Sequence, residues 1–143
     1  MIHRKHNEGP LLDVAGLNTI RVVLDRSETA RTEIGYEVWR AGLTGPAHKH
    51  DKKEQTFLIT EGSGWVRLAD EKRPVTKGDL IFIPVGVEHQ TIASPTEDLH
   101  YLLINAFLSD DKEGHATFAE HIAAVKAVRR AQADGKATSA AAV

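Results

Sequence analysis

The sequence predicts an all-β fold, a barrel or a sandwich, with one amphipathic helix at its C-terminal end. Three observations predict it: short apolar runs at regular spacing, Gly and Pro turns between them, and a late segment rich in Ala, Lys, Arg and Glu. Short strands separated by such turns are typical of β-barrels and β-sandwiches. The length of 143 residues suits one domain with its own core.

Each apolar run predicts one strand, and a polar or glycine-containing turn follows it. In chain order the predicted strands are Leu17–Leu24, Ile34–Ala41, Phe57–Thr60, Trp65–Leu68, Leu80–Ile83 and Leu99–Phe107. In the second of these, Ile34, Tyr36 and Val38 stand at alternate positions, which is the pattern of a strand with two different faces. The segment Asp70–Arg73 is interpreted as a charged turn.

Residues 117–133 predict the helix, because most of them favour helical structure. Phe118, Ile122 and Val125 fall on one face, and Val128 lies near its edge. Thr117 and Glu120 have the spacing of a capping box. We therefore expect a barrel over residues 1–108, a helical extension over 109–134 and a disordered tail over 135–143.

The composition narrows the function classes. A net charge of −2 with mixed signs gives no reason to expect nucleic acid or an anionic membrane as a partner. The absence of cysteine removes disulfides, thiolate metal sites and cysteine nucleophiles. Because no apolar run approaches the roughly 20 residues that span a bilayer, and residues 1–10 lack the apolar core of a signal peptide, we expect a cytoplasmic protein.

Eight histidines are many for this length, and two of them are suited to one metal ion. His48 and His50 lie two positions apart, so on an extended chain both imidazoles face the same side. Further ligands are available in Glu54, Gln55 and His89. Taken alone, a His-x-His pair is more typical of a surface loop than of a metal site.

Two segments that contain these histidines resemble the two motifs of the cupin superfamily. One runs from Gly42 through His48 and His50 to Gly62, and the other from Gly78 through the Pro84-Val-Gly turn to His89. The second segment matches the family spacing through His89, and the short gap between the segments is similar to that of small single-domain bacterial cupins. The resemblance implies a double-stranded β-helix, or jelly-roll barrel, with one divalent metal held in its mouth by the three histidines.

The fourth ligand departs from the family pattern. The family places a glutamate seven positions before the glycine that closes the first motif, and counting back from Gly62 gives Gln55. Only one of Glu54 and Gln55 can face inward on a strand, and Gly62 favours Gln55 unless a bulge reverses the register. An imidazole-rich site suits Zn, Ni, Fe, Mn or Cu. Ala93 replaces the asparagine that ends the family's second motif.

Several other polar residues receive weaker assignments. Tyr101 and Asn105 share one face of the last strand and are pocket candidates, although a core or surface position is equally compatible with the pattern. His100 lies on the opposite face. The remaining residues are expected at the surface, the lysines as a solvated rim beside the histidines: Lys49, Lys52, Lys53, His3, His6, His115 and His121.

Two functions follow from the resemblance. The first is a metal-dependent isomerase, lyase or dioxygenase that acts on a small polar molecule, such as a sugar acid or a keto or hydroxy acid. The second is a non-catalytic protein that binds or senses a metal or small ligand. The sequence shows no general base, since Leu102–Phe107 carries no charge. Cupins commonly pair through edge strands, so a homodimer is expected.

Overall fold

The computed structural model describes residues 1–133, which form two antiparallel sheets and one α-helix. The strands are β1 (Leu11–Val14), β2 (Asn18–Leu24), β3 (Thr32–Trp39), β4 (Lys53–Glu61), β5 (Ser63–Leu68), β6 (Glu71–Thr76), β7 (Leu80–Ile83), β8 (His89–Ala93) and β9 (Leu99–Phe107). The helix is α1 (Phe118–Ala133). The predicted tail, 135–143, lies outside the described residues.

The larger sheet has the strand order β1-β2-β3-β9-β4-β7, and the smaller has the order β6-β5-β8. The apolar core lies between them, and its buried side chains include Trp39, Phe57, Ile59, Val66 and Leu99. Two sheets that enclose one core form the jelly-roll arrangement of a double-stranded β-helix. The predicted all-β fold with one C-terminal helix is therefore confirmed.

Side chains alternate strictly between the two faces of the central strands β3, β4 and β9. In β3 the buried phase holds Glu33, Gly35, Glu37 and Trp39. The apolar residues from which the strand was predicted lie in the other, half-buried phase. The strand was thus predicted correctly, but its interior face carries two carboxylates that the apolar pattern did not indicate.

Strands β1, β6 and β8 were not predicted. Most of the predicted charged turn at Asp70–Arg73 belongs to β6, which pairs along its length with β5. That interpretation was wrong because β6 is an edge strand with one buried side chain, Val75, so it carries no apolar pattern. Charged side chains on an edge strand also protect it from pairing with other chains.

Helix α1 lies across the open end of the barrel and buries the predicted apolar face, Phe118, Ile122 and Val125. A side chain at Gly35 on β3 would meet the Phe118 ring at 3.1 Å, so glycine gives the helix room to approach. The backbone amide of Glu120 donates to Thr117 Oγ1 at 3.0 Å, as in a cap. No helix within residues 1–133 is long and apolar enough to cross a membrane.

Candidate metal centre

The structure brings together the three histidines that the sequence analysis singled out. His48 and His50 lie on the segment before β4, and His89 is the first residue of β8. One ring nitrogen from each lies within 4.8 Å of the others. Three imidazoles at this separation can bind one metal ion between them.

Backbone hydrogen bonds hold the cluster in register. The amide of His48 donates to the carbonyl of His89 at 3.0 Å, and the amide of His89 donates to the carbonyl of His48 at 2.8 Å. Gly86, with a φ of +77°, turns the chain before β8 and donates its amide to the carbonyl of His50 at 2.7 Å. The Pro84–Gly86 turn therefore fixes the first segment against the second.

Backbone carbonyls also select the ring nitrogen that His48 and His89 present. Nδ1 of His48 lies 3.0 Å from the carbonyl of Pro46, and Nδ1 of His89 lies 3.1 Å from the carbonyl of Val87. A carbonyl can only accept, so Nδ1 carries the proton and the lone pair is on Nε2. Nε2 of His89 is buried and meets no hydrogen-bond partner within residues 1–133. These donors fit a metal ion, whose histidine ligands are usually oriented in this way.

The electrostatic environment keeps these imidazoles neutral. Burial, together with the neighbouring His89, lowers the pKa of His48 to about 3. Burial likewise lowers the pKa of His50 and of His89, and the Lys53 ammonium adds to the effect. A neutral imidazole is the form that ligates a metal, so near neutral pH no proton has to be displaced.

Gln55 points inward on β4 and is buried, whereas Glu54 is half-buried on the opposite face. A bulge does occur in β4, but it lies between Ile59 and Glu61 and leaves Gln55 in phase with the buried Phe57. Gln55 lines the same cavity as His48 and His50, and its Nε2 donates to Asn105 Oδ1 at 2.9 Å. The predicted inward orientation of Gln55 thus agrees with the register of the strand.

Beside the histidines lies a cavity of about 70 Å³, lined by the barrel and α1. Its volume has room for several water molecules. Tyr101 and Asn105 both line it, which agrees with their assignment as pocket candidates. His100 lies on the opposite face of β9, where its ring approaches Tyr36.

Two buried charged residues in this cavity were missed. Lys53 is 4% exposed, and its expected place on a solvated rim was wrong because it shares the inward phase of Gln55. Glu37 is 6% exposed and accepts hydrogen bonds from Asn18 Nδ2 at 2.7 Å and Trp39 Nε1 at 2.9 Å. Burial raises the pKa of Glu37 to about 7 and lowers the pKa of Lys53 to about 8.

The expected surface positions of His115 and His121 were also wrong. Their rings stack at 4.3 Å between centroids, and His121 lines the cavity. His121 Nε2 lies 3.5 Å from Lys53 Nζ, and His115 Nε2 lies 2.7 Å from Glu33 Oε2. Both histidines lie at or near the start of α1 and are half-buried there.

Glu37 makes a pH dependence of stability expected. Its folded-state pKa of about 7 exceeds the ordinary value of 4.5. The folded state therefore binds more protons between these values, and its stability falls as the pH rises through this window. Relative to Glu37→Gln, the wild type should lose roughly 3 kcal/mol between pH 4 and pH 8. Urea unfolding of both proteins across this range measures the difference, and parallel pH profiles would contradict it.

Comparison with known proteins agrees with the fold and with the histidine cluster. The sequence model described as "Cupin domain" matches residues 35–105, which include all three histidines and Gln55. The uncharacterized protein MJ1618 of Methanocaldococcus jannaschii is 44% identical over 43 residues, which cover 30% of this chain and 34% of that protein. The chain thus matches about a third of the length of this relative.

Solved structures share the fold. The plu4264 protein from Photorhabdus luminescens is 25% identical, with a TM-score of 0.62 over 87% of this chain and 98% of that chain. A predicted oxalate decarboxylase from Thermotoga maritima is 16% identical, with a TM-score of 0.68 over 75% of this chain and 100% of that chain. The KdgF structure from Halomonas sp. is 22% identical, with a TM-score of 0.62 over 71% and 90%.

Proposed function

The chain belongs to the cupin superfamily, and from this premise we propose that it is a metal-dependent enzyme acting on a small polar substrate, a sugar acid or a keto or hydroxy acid. The observation that carries the proposal is the cavity itself. Two of the three clustered histidines, His48 and His50, line one cavity together with the buried carboxyl group of Glu37 and the buried amine of Lys53. Titratable groups with displaced pKa values in a shared cavity are characteristic of active sites.

In this proposal, His48, His50, His89 and Gln55 hold one divalent transition metal, Zn, Ni, Fe, Mn or Cu. Four neutral ligands leave the full positive charge on the ion, which disfavours hard cations relative to a site that includes a carboxylate. When bound, the ion supplies Lewis acidity toward an oxygen atom of the substrate.

Lys53 and Glu37 have separate roles in this proposal. The Lys53 ammonium offers a positive charge for a substrate carboxylate, and burial strengthens that attraction. With a pKa of about 7, Glu37 can accept or donate a proton near neutral pH, which an isomerase or a lyase requires. Both groups are less than 10% exposed, which limits their contact with bulk water.

The choice between Gln55 and Glu54 is tested by metal content. Gln55→Ala should lower the metal bound per chain after dialysis against a weak chelator, because it removes an inward-facing oxygen. Glu54→Ala is the matched control on the neighbouring residue, and it should bind metal as the wild type does because its side chain faces outward. Second-sphere changes alone cost about 10- to 100-fold in affinity, so loss of a ligand should cost at least as much. Normal metal content in Gln55→Ala would refute the assignment.

A non-catalytic metal or ligand sensor is the alternative, and the small volume of the cavity favours it. The two functions differ in whether the protein converts the small molecule that it binds. We expect conversion of at least one member of a panel of keto, hydroxy and sugar acids, followed by NMR, and we expect Glu37→Gln to slow it. Saturable binding of a panel member without conversion would favour the sensor.

We also propose a homodimer. Strand β7 is an edge of the larger sheet, and its Leu80 and Phe82 are 64% and 48% exposed. Leu58 on β4 pairs with Leu80 and extends this apolar surface. Light scattering should give twice the mass of one chain, and a monomer at micromolar concentration would contradict the proposal.

A further inference from the structure

A line of buried hydrogen bonds leads from the interior of β3 to Gln55. Nε2 of Gln55 donates to Oδ1 of Asn105 at 2.9 Å, and Nδ2 of Asn105 donates to Oε1 of Glu33 at 2.8 Å. The second carboxylate oxygen of Glu33 lies 2.7 Å from Nε2 of His115. Glu33, Asn105 and Gln55 are all less than 10% exposed, so solvent does not substitute for any of these partners.

The Glu33 carboxylate determines how the two amides along this line are oriented. A carboxylate only accepts, so Asn105 must turn its amino group toward Glu33 and its carbonyl oxygen toward Gln55. Gln55 must then turn its amino group toward Asn105. The remaining atom of its amide, Oε1, is left on the side away from Asn105.

We propose that Glu33 is a positioning residue that sets the orientation of the Gln55 amide, so that its oxygen and not its nitrogen faces the metal. A glutamate ligand has oxygen at both positions and needs no such control. A glutamine ligand has one oxygen and one nitrogen, and its amino group cannot bind a cation. The inference rests on the proposed role of Gln55 as the fourth ligand.

The geometry supports Glu33 rather than the other buried carboxylate for this task. Glu37 lies four residues further along the chain on the same face of β3, but it accepts hydrogen bonds from Asn18 and Trp39. His115 holds the far oxygen of Glu33, which fixes the carboxylate against the segment before α1. Glu33 is therefore anchored at one end and directs the two amides at the other.

The test measures Zn²⁺ affinity by competition with a chromophoric chelator. Four proteins form a double-mutant cycle: the wild type, Glu33→Gln, Gln55→Glu and the variant that carries both substitutions. Glu33→Gln should weaken Zn²⁺ binding about 10- to 100-fold, the usual range for residues that orient a ligand. The new amide can donate to Asn105, which allows both amides to reverse and to turn the Gln55 nitrogen toward the ion. Glu54→Gln is the matched control, because Glu54 is a carboxylate on the outward face of β4, and it should leave Zn²⁺ affinity unchanged.

The decisive comparison is made in a Gln55→Glu background. There Asn105 lies between two carboxylates, and Glu33→Gln restores a complete line in the reverse direction. The same substitution should therefore raise Zn²⁺ affinity in this background and lower it in the wild type. A residue that only supports folding would lower the affinity in both backgrounds, and that result would overturn the inference.

The result also separates this inference from the proposed ligand set. If Gln55→Ala weakens Zn²⁺ binding and Glu33→Gln does not, Gln55 is a ligand but Glu33 does not position it. If Gln55→Ala binds Zn²⁺ as the wild type does, the ligand assignment fails, and the inference fails with it. Thermal melting of the four metal-free proteins confirms that each is folded.

Discussion

His89→Ala is expected to abolish specific metal binding. His89 is 1% exposed, and its Nε2 has no hydrogen-bond partner within the described part of the chain. Its removal leaves two imidazoles and the amide of Gln55, which is a weaker ligand than the imidazole that is lost. A ligand at a thousand times its dissociation constant stabilises a protein by about 4 kcal/mol. The wild type should show this gain in thermal or urea unfolding when Zn²⁺ is added, and His89→Ala should show none.

His100→Ala is the matched control, because His100 is a partly buried histidine outside the cluster. It should retain both the metal content and the stabilisation by Zn²⁺. The metal-free forms of both variants must unfold cooperatively, so that loss of the ligand is distinguished from loss of the fold. Stabilisation of His89→Ala equal to that of the wild type would show that the three histidines do not form the metal site.

Phe118→Ala is expected to destabilise the fold by about 3–5 kcal/mol, the usual cost of removing a buried phenylalanine. Phe118 is 1% exposed and begins α1, where its amide donates to the Asp25 carboxylate at 2.9 Å. Its ring rests over Gly35, so the substitution leaves a void between the helix and β3. Urea unfolding at a pH where both proteins are soluble measures the difference.

Leu108→Ala provides the comparison on an exposed apolar residue shortly before the same helix. Leu108 is 54% exposed, and surface substitutions usually change stability by no more than about 0.5 kcal/mol. Phe118→Ala should also increase the accessibility of the cavity, because Phe118 is one of its lining residues. Equal stabilities for the two variants would mean that α1 is not anchored to the barrel through this ring.

The histidine site could be predicted because its histidines stand at the spacings of known motifs and because imidazole is a characteristic metal ligand. His48, His50 and His89 carry the motif spacing, and strand alternation together with the position of Gly62 in the motif favoured Gln55 as the inward residue. Which face of β3 is buried could not be predicted in this way. Either set of alternating residues could face the core, and the apolar set is the half-buried one. Glu33 and Glu37 were therefore overlooked as interior groups.

Other errors arise from contacts between distant segments. Lys53 looked like a member of a solvated lysine cluster, yet its strand phase and the α1 helix bury it. His115 and His121 have no local pattern that indicates burial, since their neighbours belong to β3 and β4. Edge strand β6 has no apolar face, so its pairing with β5 is visible only in the folded chain.

The central place of β9 in the larger sheet has a consequence for how the chain folds. Strand β9 pairs with β3 on one side and β4 on the other, and Trp39 meets Leu99, 60 positions later. Chains dominated by such distant pairings fold slowly, in milliseconds to seconds. During synthesis, His48, His50 and His89 leave the ribosome before Asn105, which accepts the hydrogen bond from Gln55. Because β9 lies between β3 and β4, the larger sheet cannot be completed until β9 is available.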